Sequence, residues 1–282
     1  MMTLVSEAGE VLPPRPVIGV VHPGLMGAAL GSALKRVAGA VLWAAAGRSD
    51  ATSQRAAAAD LVGVPDLTEL ARRSDVIISI CPPHAAREVA EQVGAAVQGR
   101  AHRPLFVEAN AVSPGTVRGI GELLGAHRVV DGAVIGPPAW EPGRTVLWLS
   151  GESAAAVAGL FVGSPFESRV LGRDLGRASA LKACYGLQSK ALPALWLELA
   201  AAARGFGVED ALRGELVRTG VDYSTELRDA VDRAGSKAWR WAGEMDEAAD
   251  AIAALGLPDG FSRAAAQVYR RMAEGKLTGD GA

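Results

Sequence analysis

Between residue 16 and about residue 172, short runs of consecutive apolar residues alternate with longer stretches of helical spacing. Residues 17–21 read VIGVV, and residues 25–38 follow at helical spacing. AVLWAA at 40–45, VIISI at 76–80, and the runs at 105–107, 129–130 and 146–149 continue the series. A strand that is apolar on both sides must be covered on both faces, as parallel strands are when crossover helices flank them. The series therefore predicts an α/β fold, a doubly wound sheet of the Rossmann type.

That alternation stops after about Gly172. From Gly176 the chain reads helical almost to its end, with Leu181, Cys184, Leu187, Ala191, Leu195 and Leu199 at helical intervals. One helix over 178–204 would be roughly 40 Å long at about 1.5 Å per residue, with Pro193 as a point of kinking. A helix of that length connects two domains or packs against a second subunit, so a homodimer is expected. The predicted organisation is a leader at 1–15, a dinucleotide-binding domain at 16–174 and an all-α domain at 175–282.

Composition narrows the class. The 282 residues carry 29 Lys and Arg against 31 Asp and Glu, a net charge of −2, which argues against binding nucleic acid or a membrane surface through bulk charge. Aromatic residues make up 5% while 49% are hydrophobic, so the apolar mass is mostly Ala, Val and Leu. Cys81 and Cys184 make no disulfide framework, and no Cys/His spacing suits a metal, so none is expected. A reduced, cytoplasmic setting follows. The opening residues lack the apolar stretch of a signal peptide. The run at 191–203 is broken by Glu198 and is shorter than the ~20 residues of a membrane span.

The turn after the first strand carries the chemistry. In VIGVVHPGLMG, Gly24 and Gly27 occupy the second and third positions of G-x-G-x-x-G, and His22 occupies the first. Gly24 lets backbone approach a pyrophosphate, Gly27 lets the helix pack on the strand, and the helix N-terminus offers N–H groups to phosphate. His22, Pro23, Gly24, Leu25, Met26 and Gly27 are therefore the candidate pyrophosphate loop. The second strand ends in Trp43-Ala-Ala-Ala-Gly-Arg48-Ser49, with no carboxylate before Arg48. A guanidinium beside a hydroxyl suits a ribose 2′-phosphate, with Arg55 in support, so NADP(H) is expected rather than NAD(H).

These segments and four others resemble the β-hydroxyacid dehydrogenase and 6-phosphogluconate dehydrogenase superfamily, which includes imine reductases. Met26-Gly27 is similar to that family's opening motif, and Gly47-Arg48-Ser49 to its Asn-Arg-Thr/Ser segment. Cys81-Pro82-Pro83 sits where the family lines the nicotinamide. Asn110-Ala-Val-Ser113-Pro114 resembles the segment after its central strand. Asp131-Gly-Ala-Val-Ile135-Gly136-Pro137-Pro138 resembles its substrate loop, and Gly176 to Lys182 the stretch bearing its catalytic lysine. The resemblance implies a Rossmann domain, an all-helical second domain, a dimer and hydride transfer to or from a small-molecule substrate. Lys182 inherits the role of general acid/base on the substrate oxygen. Lys182, Tyr185, Gly186 and Ser189 share one face of the predicted helix.

The chain also departs from that pattern. Gly186 stands where the family has Asn, and Tyr185 beside it supplies a hydrogen bond, an acid function or structural packing. Ile135 replaces a carboxylate-binding Ser, Pro137 replaces a Gly, and Glu244 stands in place of a positive anchor. The substrate is expected among Asn110, Ser113, the loop Ile135, Gly136 and Pro137, and Ser189, Trp239 and Glu244. Trp140, Trp241 and Met245 either extend an apolar pocket or pack in a core. Two further readings stand beside a carbonyl/alcohol dehydrogenase: an imine reductase, because a carboxylate tolerates an iminium, and a non-catalytic NADP(H) sensor.

Overall fold

The computed structural model describes residues 12–277; residues 1–11 of the expected leader, and the last five residues, lie outside the described residues. Two compact units divide the chain, one through Lys182 and the other from Ala183.

The first unit is an eight-stranded sheet with helices between its strands. Its strands are β1 (Val17–Val20), β2 (Ala40–Ala44), β3 (Val62–Val64), β4 (Val76–Ser79), β5 (Leu105–Glu108), β6 (Val129–Ile135), β7 (Val146–Ser150) and β8 (Glu167–Gly172). The helices are α1 (Leu25–Leu34), α2 (Asp50–Ala58), α3 (Leu67–Arg73), α4 (Ala86–Val97), α5 (Pro114–Leu124) and α6 (Ala154–Leu160). The strand order is β3-β2-β1-β4-β5-β6-β7-β8. The order reverses between β1 and β4, the crevice position where ligands bind in open α/β sheets. Both faces carry a core. Ile18, Val20, Val76, Ile78, Leu105 and Val107 point into one; Leu42, Ile77, Phe106 and Val129 point into the other.

The sheet is mixed rather than wholly parallel, because β6 and β7 pair antiparallel. The link between them, residues 136–145, is too short for a crossover helix, and an antiparallel neighbour is what a short link permits. β3 and β8 were not expected as strands. They form the two edges of the sheet, where one side lacks a neighbour, and VGV and ESRVLG lack the continuous apolar run of central strands.

The predicted single helix over 178–204 is three pieces: α7 (Arg177–Gly186), a π-turn at Leu187–Ala191, and α8 (Leu192–Gly205). Pro193 lies in the first turn of α8. A proline ring clashes with the carbonyl four residues back, and a π-turn spaces that carbonyl differently. The expected break at 174/175 precedes α7, whereas the units part inside it. The first turn of α7 is tied to the sheet: the Ala178 N–H donates to Ser150 Oγ (3.2 Å) and the Ser179 N–H to Asp131 Oδ2 (3.0 Å).

The second unit is helical. After α8 come α9 (Glu209–Arg218), α10 (Tyr223–Ala234), α11 (Ala238–Ala253) and α12 (Gly260–Ala273). Its core is built on Leu197, Ala230, Ala234, Trp241, Met245, Ala266 and Tyr269. Trp241 and Tyr269 meet edge-to-face at 5.4 Å, a favoured aromatic geometry. Trp241 and Met245 are therefore core residues, the packing alternative for the tryptophan and methionine stripe. Trp140 and Trp239 are exposed.

Candidate functional site

β1 ends at the switch point, and the chain turns tightly there. The Gly24 N–H donates to the His22 carbonyl (2.9 Å), so the turn closes within three residues. Gly27 is needed by space: a Cβ there would run into the His22 carbonyl oxygen. At Gly24 a Cβ would meet only the His22 ring, at 3.4 Å. Helix α1 has no side-chain cap and no acidic residue in its first turn. Its first N–H groups and the positive end of its dipole face the turn, the arrangement that takes a phosphate. His22 Nδ1 is buried without a hydrogen-bond partner among the described residues. Burial, then the charges of Arg48 and Arg55, hold the His22 imidazole below its ordinary pKa. This turn fits a dinucleotide: open N–H groups, no carboxylate, and an orphaned ring nitrogen.

Two arginines fold onto the same turn from β2 and α2. Arg48 donates to the Val21 carbonyl (3.2 Å) and the Ala44 carbonyl (3.4 Å). Arg55 donates to the Pro23 carbonyl (3.4 Å) and Thr52 Oγ1 (3.0 Å). Ser49 caps α2 by accepting the Thr52 N–H at 3.3 Å. The structure thus brings His22, Pro23, Arg48, Ser49 and the supporting Arg55 to one strand-end cluster.

The ends of β4 and β5 form a second cluster. Asn110 Oδ1 accepts the Cys81 N–H. Its amide donates to Ser79 Oγ (3.2 Å) and approaches Cys81 Sγ (3.5 Å). Burial, then the neighbouring Glu108, pushes the Cys81 thiol up to about 12, so it stays a thiol at neutral pH. Pro83 opens a short 3-10 turn after Pro82. Ser113 caps α5, accepting the Thr116 N–H at 3.1 Å.

Beneath this cluster lies a row of buried polar residues. Ser79, Glu108, Asp131 and Ser150 occupy paired positions on β4, β5, β6 and β7, and all four are fully buried. Glu108 Oε1 accepts the Asn110 N–H at 2.9 Å, while Oε2 has no hydrogen-bond partner among the described residues. Burial raises the Glu108 carboxyl from 4.5 to about 7. Asp131 accepts from Ser179 Oγ (2.6 Å), the Ser179 N–H (3.0 Å) and Ser150 Oγ (3.1 Å). Burial raises its pKa too, against the pull of those donors. The row ends on the first turn of α7, one turn before Lys182, which is half-buried.

Ile135 ends β6, and the loop bends at Gly136, whose φ of +131° suits glycine alone. Thr145 Oγ1 fixes this bend by donating to the Pro137 carbonyl at 2.5 Å.

In the second unit, Tyr185 is exposed, which excludes the buried structural role. Ser189 lies in the π-turn, which breaks the i, i+3, i+4, i+7 register of the expected shared face. Its hydroxyl donates back to the Tyr185 carbonyl at 2.9 Å. Glu244 on α11 pairs with Lys190 of the π-turn (3.1 Å) and with Arg240 (3.0 Å). A positive charge thus does stand opposite the α11 position, supplied by Lys190. Sequence reasoning passed over Lys190, Glu108 and the carboxylate of Asp131. A carboxylate closing an apolar run, as in LFVE, was the available signal for Glu108. Among the described residues no group of three or more His, Cys, Asp or Glu is placed to hold a metal, and no helix is long and apolar enough to cross a membrane.

Residues 2–115 match a family model described as a Rossmann-like domain, and residues 203–272 one described as a domain of unknown function, DUF1932. The chain thus matches a Rossmann-like domain over its first part and a DUF1932 domain over part of its second. A Methanothermus fervidus relative, an "uncharacterized 28.5 kDa protein in 7S RNA 5′region", is 32% identical over 167 residues. That match spans 59% of this chain and 62% of the relative, under two thirds of its length. A conserved protein whose structure was described as similar to 3-hydroxyacid dehydrogenases is 26% identical, with a TM-score of 0.62 over 93% of this chain and 99% of that one. Mycobacterium tuberculosis 3-hydroxyisobutyrate dehydrogenase, solved with L-serine, shares 19% identity and a TM-score of 0.66, covering 93% and 95% of the two chains. The Aspergillus terreus reductive aminase, in complex with NADPH and ethyl levulinate, shares 18% and a TM-score of 0.54 over the same shares. The fold is that of the superfamily whose motifs the sequence resembles.

Proposed function

We propose that this chain is an NADP(H)-dependent oxidoreductase that moves a hydride between the nicotinamide and a carbonyl or alcohol carbon of a small molecule. One observation carries the reading. The uncapped helix turn His22–Gly27 and the two arginines Arg48 and Arg55 converge at the end of β1, where the strand order reverses. In this reading the α1 N–H groups take the pyrophosphate, and Arg48, Arg55 and Ser49 take the 2′-phosphate. Cys81, Pro82, Pro83 and Asn110 border the nicotinamide. When bound, the coenzyme supplies or accepts the hydride. Lys182 donates a proton to the substrate oxygen as negative charge develops there, and removes it in the reverse direction. Substrate selection falls to Ser113, the loop Ile135–Pro137, Tyr185, Ser189, Trp239 and Glu244.

The likeness to a reductive aminase favours imines as a second substrate class, although Lys190 and Arg240 already match the charge of Glu244. The proposed assembly is a homodimer, and the proposed setting is the reduced cytoplasm.

Fluorescence titration with NADPH and NADH, followed by a panel of hydroxy acids, ketones and cyclic imines, tests the reading. NADPH should bind at least about tenfold tighter than NADH, and Arg48→Ala should remove most of that preference, as loss of a charge-assisted bond does. Lys182→Ala should still bind NADPH but lose about 10²- to 10⁴-fold in turnover. Full activity in Lys182→Ala would refute its role. Turnover of imines alone would select the second class, and tight NADPH binding without turnover would leave a sensor.

A further inference from the structure

The buried row on β4–β7 holds two carboxyls side by side, Glu108 and Asp131, with no basic group among their hydrogen-bond partners. Two adjacent buried carboxyls do not both ionise. Their surroundings decide which keeps the proton. Asp131 receives two hydroxyls and a backbone N–H at the positive end of α7, all of which favour its anion. Glu108 receives the Asn110 N–H on one oxygen, with the Asn110 amide and the Ser79 hydroxyl nearby, and its Oε2 finds no hydrogen-bond partner among the described residues. The negative charge therefore rests on Asp131 and the proton on Glu108.

What Glu108 holds is the nicotinamide border. Its Oε1 fixes the backbone of Asn110, and the Asn110 side chain fixes the Cys81 N–H and Ser79 Oγ. The titratable groups facing Glu108 are Asp131 from β6 and the Cys81 thiol beyond β4. Ser79 and Asn110, which also face it, are neutral. A second negative charge at Glu108 would repel Asp131 and an incoming polyanionic coenzyme alike.

We propose that Glu108 is a positioning residue for the nicotinamide end of the coenzyme: it holds Asn110 and, through Asn110, the Cys81–Pro83 turn, and only as the neutral acid does it do so without setting a second negative charge beside Asp131 and the coenzyme. The proposal rests on the NADP(H) reading above. Because burial places the Glu108 transition near pH 7, NADPH affinity should weaken as the pH rises through neutrality.

The test is NADPH binding by fluorescence from pH 6.5 to 8.5, in the full chain and in Glu108→Gln, which mimics the protonated acid. Wild-type affinity should fall about five- to tenfold across this range. Glu108→Gln should keep the affinity seen at pH 6.5 throughout. Burial and the charges of Arg48 and Arg55 hold His22 below its ordinary value, and it is common to both proteins. An equal fall in both proteins overturns the proposal and leaves the coenzyme reading standing. Absence of NADPH binding at every pH overturns both. Should Glu108→Gln not fold, the infrared carbonyl band of the wild-type carboxylic acid serves instead. The band should disappear with a midpoint near pH 7 that moves upward when NADPH binds; a midpoint indifferent to NADPH refutes the role.

Discussion

At residue scale, the glycine turn separates two roles that the motif alone conflates. Gly27 packs α1 against the His22 carbonyl, so Gly27→Ala should cost about 1–3 kcal/mol as an overpacked site and weaken NADPH binding with it. Gly24 has room for a methyl group in the free protein. Gly24→Ala should therefore leave stability unchanged and reduce NADPH affinity alone, because the backbone must come close to pyrophosphate. Urea denaturation beside NADPH titration distinguishes the two, and equal behaviour of both variants would show that the turn does not approach the coenzyme. The spacing of Gly24, Gly27 and Arg48 was readable in the sequence because these residues act through local geometry. Glu108 was not, since an acidic residue at a strand end is ordinarily solvated, and only the neighbouring strands show that it is buried.

At the scale of elements, the π-turn at Leu187–Ala191 places Lys190 where it forms an ion pair. Lys190 reaches Glu244 at 3.1 Å and lies 5.8 Å from the Trp241 ring, and Tyr269 donates its hydroxyl to the Lys190 carbonyl at 2.6 Å. Both side chains of the ion pair are largely buried, at 14% and 11% exposure, so removing Lys190 leaves the buried Glu244 to the more exposed Arg240. Lys190→Met should destabilise the protein by roughly 2–4 kcal/mol, while adding Glu244→Leu should recover part of that loss. Denaturant midpoints in a double-mutant cycle measure this. Recovery of nothing would mean that Lys190 acts through packing on Trp241. The helical period of this region was legible, but the π-turn was not. Pro193, in the first turn of α8, fixes where a helix is strained but not whether it kinks, breaks or widens.

At the scale of the whole molecule, the second unit leaves Leu192, Leu195, Phe206, Trp239 and Phe261 exposed. In the proposed dimer these side chains are the candidates for apolar surface that the partner covers. Light scattering at micromolar concentration should give twice the mass of the 282-residue chain, and a monomer would count against the proposed dimer. The sequence by itself determined the central strands and the glycine turn, because a buried strand needs an apolar run and a phosphate turn needs small residues at fixed local spacing. It also determined that helices follow Gly172. The tertiary structure alone decided the antiparallel β6–β7 pair, the edge strands β3 and β8, and the meeting of Ser79, Glu108, Asp131 and Ser150. Those depend on pairing register between distant segments, and register is set by which strands become neighbours.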